Sequence, residues 1–370
     1  MKTLRKLLYG EVITAVALVT LGFMALFFFF DIVEELQSVS RIKASGYQVP
    51  QALIYVALMI PAHVYELFPI TVLIGTIFVM ARLARSSEFT ILRTSGLGPW
   101  RALRTLLVLG LGFVLFTFAV GDYVAPLADK TAQLLKSRFQ GKLSVGKTGA
   151  WLKEKQAYST YSVNVGSLTS DAELKDVRIF EFDNQGSIVS LTEASHGTFG
   201  ESESWHLTDV ERTEFSTSTS TNQKTSMDRA KFETLRWPTQ ISAEMVAAAV
   251  LRPERMGTID LFQYIRHLNA NGQSAQKYEI QFWKKVFYPL SCLVMVVLSL
   301  PFAYLHFRSG SIAGYTFGGV MAGISFVLLN NVLNDLGNLQ GWQPWITAAL
   351  PGLIYSFFSL AAFTWLVLRR

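Results

Sequence analysis

Residues 12–30 read VITAVALVTLGFMALFFFF, which is nineteen consecutive positions without a charged side chain. A helix needs about 20 apolar residues to cross the hydrocarbon core of a bilayer. Only 16% of the chain is charged, well below the roughly 25% of an average soluble domain. The same apolar character returns in five later stretches. The sequence therefore predicts six transmembrane helices, at 12–30, 67–81, 105–121, 286–305, 312–334 and 344–368.

The distribution of Lys and Arg between the loops predicts the orientation, because cytoplasmic loops of membrane proteins carry the excess of both residues. Five arginines lie between the second and third spans, whereas residues 335–343 contain no Lys or Arg. Basic residues also lie at both ends of the chain. Both termini are therefore expected in the cytoplasm, and the segment that follows three crossings is expected outside it.

The long segment between the third and fourth spans is polar and alternates over short runs, such as 157–165, 175–182, 187–192, 196–199 and 204–211. Short alternating runs separated by turn residues are typical of antiparallel β domains. We therefore predict a six-helix membrane bundle with an all-β, jellyroll-like domain inserted between helices 3 and 4. The expected parts are 1–125 (spans 1–3), 126–250 (the exported domain and its connectors) and 251–370 (a return helix and spans 4–6).

Two features of this insert leave alternatives open. The run 216–226, STSTSTNQKTS, is either a polar edge strand or a loop. Trp151, Trp205 and Trp237 either lie in the domain core or line an apolar ligand groove. Core positions are the favoured interpretation, since aromatic side chains bury strongly.

Residues 141–148, GKLSVGKT, match the Gly-x-x-x-x-Gly-Lys-Thr pattern of phosphate-binding loops. Such a loop joins a buried strand to the N-terminus of a helix, and it must meet ATP. Here the upstream residues have a helical pattern, the downstream residues alternate like a strand, and the motif is expected outside the cytoplasm. We therefore expect a turn between helix and sheet, and no ATPase site in this chain.

The sequence offers little for catalysis or metal binding. The five histidines lack metal-ligand spacing, and the single cysteine, Cys292, lies in the fourth span, so no internal disulfide is possible. No cofactor, metal ion or nucleic acid is expected on this chain. His63 and Glu66, one helical turn apart, either carry protons or form the polar start of the second helix, and the second interpretation is favoured.

The fifth span contains two interleaved Gly-x-x-x-Gly pairs, which allow another helix to approach closely. They are formed by Gly314, Gly318, Gly319 and Gly323. The neighbouring helix belongs either to this chain or to a partner subunit. Farther along, Asn330 and Asn334 are candidates for substrate contact at a lateral gate, and the alternative is a solvated helix end.

Segment 86–96, SSEFTILRTSG, is a short amphipathic stretch in the basic cytoplasmic loop. A serine at its start and Gly96 at its end suit the two ends of a helix. Phe89 and Leu92 contribute to an apolar side. The segment either lies on the anionic inner leaflet or docks into the groove of a cytoplasmic protein.

Three longer stretches carry a resemblance to a known family. They are ARLARSSEFTILRTSGLG in the cytoplasmic loop, GDYVAP at the end of the third span and DLFQYIRHLNANGQSAQKYEIQFWKKVFYPL before the fourth. Together with the order of spans and insert, they resemble the lipopolysaccharide export permeases of the LptF/LptG family, and most of all its LptG branch. The resemblance covers nearly the whole chain.

The resemblance implies one half of a heterodimer with an F-type sibling permease, which extracts lipopolysaccharide from the inner membrane and passes it to a periplasmic bridge protein. A cytoplasmic ATPase dimer would bind the ATP and magnesium. A single-span membrane partner with its own β-jellyroll domain would join the assembly. Segment 86–96 would be the coupling helix, in which Glu88, Phe89, Leu92 and Arg93 meet the ATPase.

One stretch departs from the family pattern. Basic residues near the outer end of span one are expected to meet the phosphates of the glycolipid, yet this stretch reads DIVEEL, with Asp31, Glu34 and Glu35. Positive charge follows at Arg41 and Lys43, and these two residues are the candidates for phosphate binding. Carboxylates act on phosphates only through divalent cations, so Asp31 is assigned no role.

Three other functions are compatible with parts of the pattern. ATP-driven lipoprotein-release permeases usually carry the exported domain after span one of a four-span chain, so the position of the insert argues against them. A proton-coupled carrier built on His63 and Glu66 would be favoured by inverted repeats, and the two halves show no convincing repeat. A non-transporting scaffold would tolerate mutation of segment 86–96.

Overall fold

A computed structural model of the chain describes residues 2–41, 46–86, 88, 94, 98–140, 149–156, 158–169, 173–200, 203–217, 225–250, 253–304 and 312–365. Within these residues, six helical segments are long and apolar enough to cross a membrane. The predicted number of spans is confirmed. The spans are Arg5–Ser40, Val49–Arg85, Pro99–Lys136, Gln276–Tyr304, Ala313–Gln340 and Pro344–Phe363.

The helices that build these spans and their connectors are numbered in chain order. They are α1 (Lys2–Arg41), α2 (Val49–Arg85), α3 (Pro99–Ala119), α4 (Ala125–Gln140), α5 (Ala243–Val250), α6 (Thr258–Ala270), α7 (Gln276–Phe287), α8 (Ser291–Ser299), α9 (Ile312–Gln340) and α10 (Pro344–Phe363). A single π-helical turn, Val120–Val124, joins α3 to α4. By contact the chain divides into two compact units, Met1–Gln37 with Val56–Asp129 and Glu279–Arg370, and Ser38–Tyr55 with Lys130–Tyr278.

The first unit is a helical bundle centred on α2. Buried residues make up 78% of the most apolar stretch of α2, against 17% of that of α1 and 28% each for α9 and α10. Gly75 lets α1 pack closely, because a Cβ there would lie 2.8 Å from the Val16 Cα. Helix α8 packs on α3 and α10, and α9 packs on α10. The bundle therefore has one buried helix and several helices with wide apolar outer faces.

The second unit is built on one antiparallel sheet whose six strands follow one another in chain order. The strands are β1 (Ala150–Lys155), β2 (Thr160–Leu168), β3 (Leu174–Phe182), β4 (Ile188–Gly200), β5 (Ser204–Thr217) and β6 (Thr225–Pro238). Such a meander needs only short turns, and Gly186 serves one of them with a φ of +81°. The predicted all-β insert between spans 3 and 4 is confirmed.

The core of this unit lies on one face of the sheet, where α5 packs against β1 and β2. Trp205 is its largest fully buried side chain, and its indole Nε1 donates a hydrogen bond to the Ile241 carbonyl at 2.8 Å. Phe199 and Trp237 meet the Trp205 ring edge to face, at centroid distances of 5.6 and 5.3 Å. Two of the three tryptophans therefore lie in the core, as predicted.

Trp151 does not lie there, and this part of the prediction is wrong. Its side chain is 53% exposed and stacks on Phe180 at 5.8 Å. The reason is the two-residue period of a strand. Ala150 and Leu152 both face the core, so the residue between them points to the opposite face.

The strand bounds differ from the sequence prediction in two places. The runs 187–192 and 196–199 belong to one strand, β4. In the run 216–226, for which the sequence leaves strand and loop open, residues 216–217 end β5 and residues 225–226 begin β6. Residues 218–224 of that run lie outside the described residues. Strand β6 is not predicted by the sequence pattern, because charged residues interrupt its alternation of apolar and polar positions. They are Asp228, Arg229, Lys231 and Glu233.

The second helix also begins earlier than expected. His63 and Glu66 were read as its polar start, whereas α2 begins at Val49 and contains Pro61 and Pro69 within it. That prediction is wrong because each proline removes only one backbone donor, and neighbouring helices and side chains compensate for such losses in a membrane.

Candidate functional site: polar residues of the helical bundle

A buried lysine of α7 contacts the π turn of the third span. Lys285 is 8% exposed, and its Nζ donates a hydrogen bond to the Gly121 carbonyl at 3.0 Å. The Lys285 ammonium also lies 5.8 Å from the centre of the Tyr65 ring, within cation–π range. Ionisable side chains within membrane spans are costly, and those that occur often mark functional positions.

Proline explains why the Gly121 carbonyl is available. In the π turn, the Ala125 N–H bonds to the Val120 carbonyl, five residues back. With the same five-residue spacing, the Gly121 carbonyl would accept from the N–H of residue 126, but residue 126 is a proline and has no N–H. The Gly121 carbonyl therefore lacks its π-helical backbone donor, and the Lys285 ammonium donates to it instead.

Close packing between α2 and the third span surrounds this bond. A Cβ at Gly121 would lie only 2.2 Å from the Tyr65 ring, so glycine is required for this approach. The Tyr65 ring lies 5.3 Å from that of Tyr288, whose hydroxyl donates to the Glu66 carbonyl. Spans 2, 3 and 4 are thus joined through polar and aromatic contacts at one level of the bundle.

The acidic stretch at the end of span one has a partner within the chain. The Asp31 carboxylate lies 2.7 Å from His63 Nε2, and the Phe27 ring lies 5.0 Å from the imidazole. The side chains of His63 and Asp31 are 18% and 26% exposed. Asp31 therefore serves an ion pair or hydrogen bond between α1 and α2, which gives it a role that the sequence did not reveal.

The four glycines of α9 divide into two pairs. A Cβ at Gly319 would lie 2.7 Å from Ile77 Cδ1, and one at Gly323 would lie 2.7 Å from Ile70 Cγ2. These two therefore pack against α2 within the chain. At Gly314 and Gly318 a Cβ would meet nothing within 4 Å, so that pair faces open space in the described structure.

The candidate substrate residues are only partly described. Asn330 and Asn334 are 5% and 8% exposed on α9, which rules out a solvated helix end. The Asn334 Oδ1 has no hydrogen-bond partner within the described residues. Arg41 is the last residue of α1, and its side chain is not described, while Lys43 lies outside the described residues.

The predicted coupling segment is also only partly described. Glu88 is helical and exposed, whereas Phe89, Leu92 and Arg93 lie outside the described residues. Residues 141–148 likewise lie outside them. The elements on both sides of that motif are described, and they are α4 before it and β1 after it. This order, helix then strand, is the reverse of the order in a phosphate-binding loop.

A buried histidine lies at the end of α6 in the sheet unit. His267 on α6 is 8% exposed, its Nδ1 lies 3.2 Å from Asn271 Nδ2, and its Nε2 has no partner within the described residues. Burial lowers the pKa of His267 from 6.5, and the Glu154 carboxylate opposes this shift only in part. Asn271 Oδ1 accepts a hydrogen bond from the Lys155 N–H at 2.8 Å, so this bond attaches the end of α6 to β1.

Sequence reasoning missed two of these arrangements. The π turn has a local signal in the stretch GDYVAP, because Pro126 follows Gly121 by five residues at the end of a span. The Asp31–His63 pair had no local signal, since the two residues are 32 positions apart. Among the described residues, no group of three His, Cys, Asp or Glu side chains is arranged to hold a metal ion.

Comparison with known proteins gives consistent results. The family described as "Lipopolysaccharide export system permease LptF/LptG" matches residues 6–367. A "Lipopolysaccharide export system permease protein LptG" from Haemophilus influenzae is 27% identical over 341 residues, covering 91% of this chain and 90% of the relative. The protein with the same description from Escherichia coli K12 is 26% identical over 353 residues, covering 94% of each chain. The similarity therefore extends over both the helical bundle and the inserted sheet.

Proposed function

Since the chain belongs to the LptF/LptG family and is a multi-pass inner-membrane permease component of the lipopolysaccharide export system, we propose that a separate ATPase drives it and that it forms one half of a heterodimer. The chain takes lipopolysaccharide from the inner membrane and passes it, through its exported β unit, to a periplasmic bridge protein. Both termini lie in the cytoplasm in this proposal.

The strongest support for an external energy source is the order of elements around residues 141–148. A phosphate-binding loop receives its phosphates at the N-terminus of the helix that follows it. Here a strand follows, and the positive-inside pattern of the short loops favours the side of the membrane that lacks ATP. ATP and magnesium therefore belong to the partner ATPase.

The sibling permease has a suitable surface on α9. Gly314 and Gly318 leave open space one helical turn apart, and the apolar side chains of Phe317 and Met321 beside them are 64% and 50% exposed. Small residues at this spacing let two membrane helices approach closely. The proposal assigns this face of α9 to the F-type sibling.

The ATPase contacts segment 86–96 through Glu88, Phe89, Leu92 and Arg93. Glu88 is exposed and helical, as a docking residue must be. Docking there lets the two nucleotide states of the motor favour two arrangements of the spans. A single-span partner with its own β-jellyroll domain completes the assembly on the outer side. Arg41, Lys43, Asn330 and Asn334 are the proposed contacts with the cargo.

Reconstitution tests the proposal. The chain, its F-type sibling and the ATPase are placed in proteoliposomes that contain lipopolysaccharide, and transfer to the soluble bridge protein is measured with and without ATP. We expect transfer only with ATP, and a loss of both ATPase recovery and transfer in Glu88→Ala. Transfer that needs no ATP and is abolished by a protonophore would overturn the proposal in favour of a proton-coupled carrier.

A further inference from the structure

Pro126 leaves one backbone carbonyl of the third span in need of a hydrogen-bond donor. Proline lacks an N–H, so it leaves the carbonyl five residues earlier, that of Gly121, without its donor in the π register. An orphaned carbonyl in an apolar setting is costly, and a side chain of a neighbouring helix commonly meets this need in membranes. Here the donor is the Lys285 ammonium, at 3.0 Å.

The setting favours a cation in this position. Carbonyls released from a helical register carry partial negative charge, and the Tyr65 ring offers its π face to the same ammonium at 5.8 Å. Lys285 is buried although its neighbour in the sequence, Lys284, is only partly buried. A lysine is therefore held at a specific backbone atom and is not merely extended towards solvent.

The location of this bond gives it a mechanical consequence. The third span runs through the π turn into α4, which leads to the inserted sheet unit, and α7 leads from that unit into the fourth span. The Lys285–Gly121 bond thus joins the π turn, which precedes α4 in the chain, to α7, which follows the inserted unit in the chain.

We propose that Lys285 is a positioning residue for transport. By replacing the N–H that Pro126 lacks, it fixes the π turn against α7 and holds the third and fourth spans in register, so that rearrangement of the spans is transmitted to the inserted unit. The proposal rests on the ATP-driven function above. It adds that Lys285 and Pro126 act together, because the lysine donates the hydrogen bond that the proline cannot.

The pair predicts an interaction between two mutations. Lys285→Met removes the side-chain donor to the Gly121 carbonyl, whereas Pro126→Ala supplies a backbone N–H that takes over this acceptor. In the reconstituted complex, Lys285→Met should lower lipopolysaccharide transfer per ATP hydrolysed at least about fivefold. Lys285→Arg should retain most transfer. The control Lys277→Met, at an exposed lysine of the same helix, should behave as wild type.

The double variant Lys285→Met/Pro126→Ala decides the question. We expect it to recover transfer per ATP to within about twofold of Pro126→Ala alone. If Lys285→Met fails to accumulate in the membrane, recovery of the folded chain in the double variant supports the proposal equally well. A double variant as defective as Lys285→Met, with Pro126→Ala itself active, would overturn it.

The thermal unfolding midpoints of wild type, Lys285→Met, Pro126→Ala and the double variant separate this proposal from the function on which it rests. The midpoint of Lys285→Met should be lower than that of wild type, and Pro126→Ala should remove that difference, whether or not ATP drives transport. If the change in midpoint of the double variant equals the sum of the two single changes, the coupling between Lys285 and Pro126 is contradicted, even if ATP-driven transport is established.

Discussion

Replacing glycines of α9 by alanine should have opposite effects on the two faces of the helix. A Cβ at Gly323 would lie 2.7 Å from Ile70 Cγ2, a methyl group on a branched carbon that has little freedom to move away. A Cβ at Gly318 would meet nothing within 4 Å. The two substitutions add the same methyl group to the same helix, so their difference isolates the steric cost.

The magnitude follows from two terms. Alanine in place of glycine favours a helix by about 1 kcal/mol, and this gain is common to both variants. Overpacking a close contact costs about 1–3 kcal/mol, and only Gly323→Ala carries this cost. We therefore expect Gly323→Ala to be less stable than Gly318→Ala by about 1–3 kcal/mol. Gly319→Ala should lie between them, because its close contact is the flexible end of Ile77.

The assay has two parts. The full chain, purified without its sibling, is unfolded thermally, and the order of midpoints should be Gly318→Ala above Gly319→Ala above Gly323→Ala. Co-purification with the sibling permease is then measured for Gly318→Leu, which should fail if that face is the heterodimer interface. Equal midpoints for Gly318→Ala and Gly323→Ala would refute the packing argument, and normal recovery of the sibling with Gly318→Leu would refute the interface.

Three further predictions concern single side chains. Trp205→Phe keeps the aromatic packing but leaves the Ile241 carbonyl without its indole donor, so the free energy of unfolding of the sheet unit should fall by about 1–3 kcal/mol, as measured by chemical denaturation of the full chain. Burial lowers the pKa of His267 below its unfolded value of 6.5. The contribution of the neutral imidazole to stability is therefore present above pH 6.5 and is lost as the pH falls below 6.5. The thermal midpoint should drop between pH 7.5 and 5.5, and His267→Gln should reduce that drop. Asp31→Ala should lower the midpoint more than Asp31→Asn, which keeps an acceptor for His63, and Mg²⁺ should not raise the wild-type midpoint, as it would if Asp31 bound a divalent cation.

The membrane architecture could be predicted because its signal is local. Hydropathy alone identified six spans, since a bilayer demands long apolar segments wherever a helix crosses it. The alternation of residues 157–165 likewise predicted a strand, and β2 covers most of this run. Boundaries were less predictable, as with α2, which continues through Pro61 and Pro69 although proline usually ends or kinks a helix.

The polar contacts of the bundle depended on tertiary structure and were therefore hidden. Nothing in the sequence near Asp31 indicates that His63 lies across from it. The burial of Lys285 was equally hidden, since its neighbour Lys284 carries the same charge. Only Pro126 offered a local reason for an unpaired carbonyl, and the identity of its donor required the fold.

Labelling of residue 147 reports on which side of the membrane the inserted unit lies, and the need for a separate ATPase follows from that side. A Lys147→Cys chain, with the buried Cys292 replaced by alanine, is treated in intact cells with a membrane-impermeant maleimide, and Thr94→Cys serves as the cytoplasmic control. We predict that position 147 is labelled in intact cells and position 94 only after lysis. Protection of position 147 until lysis would contradict this prediction.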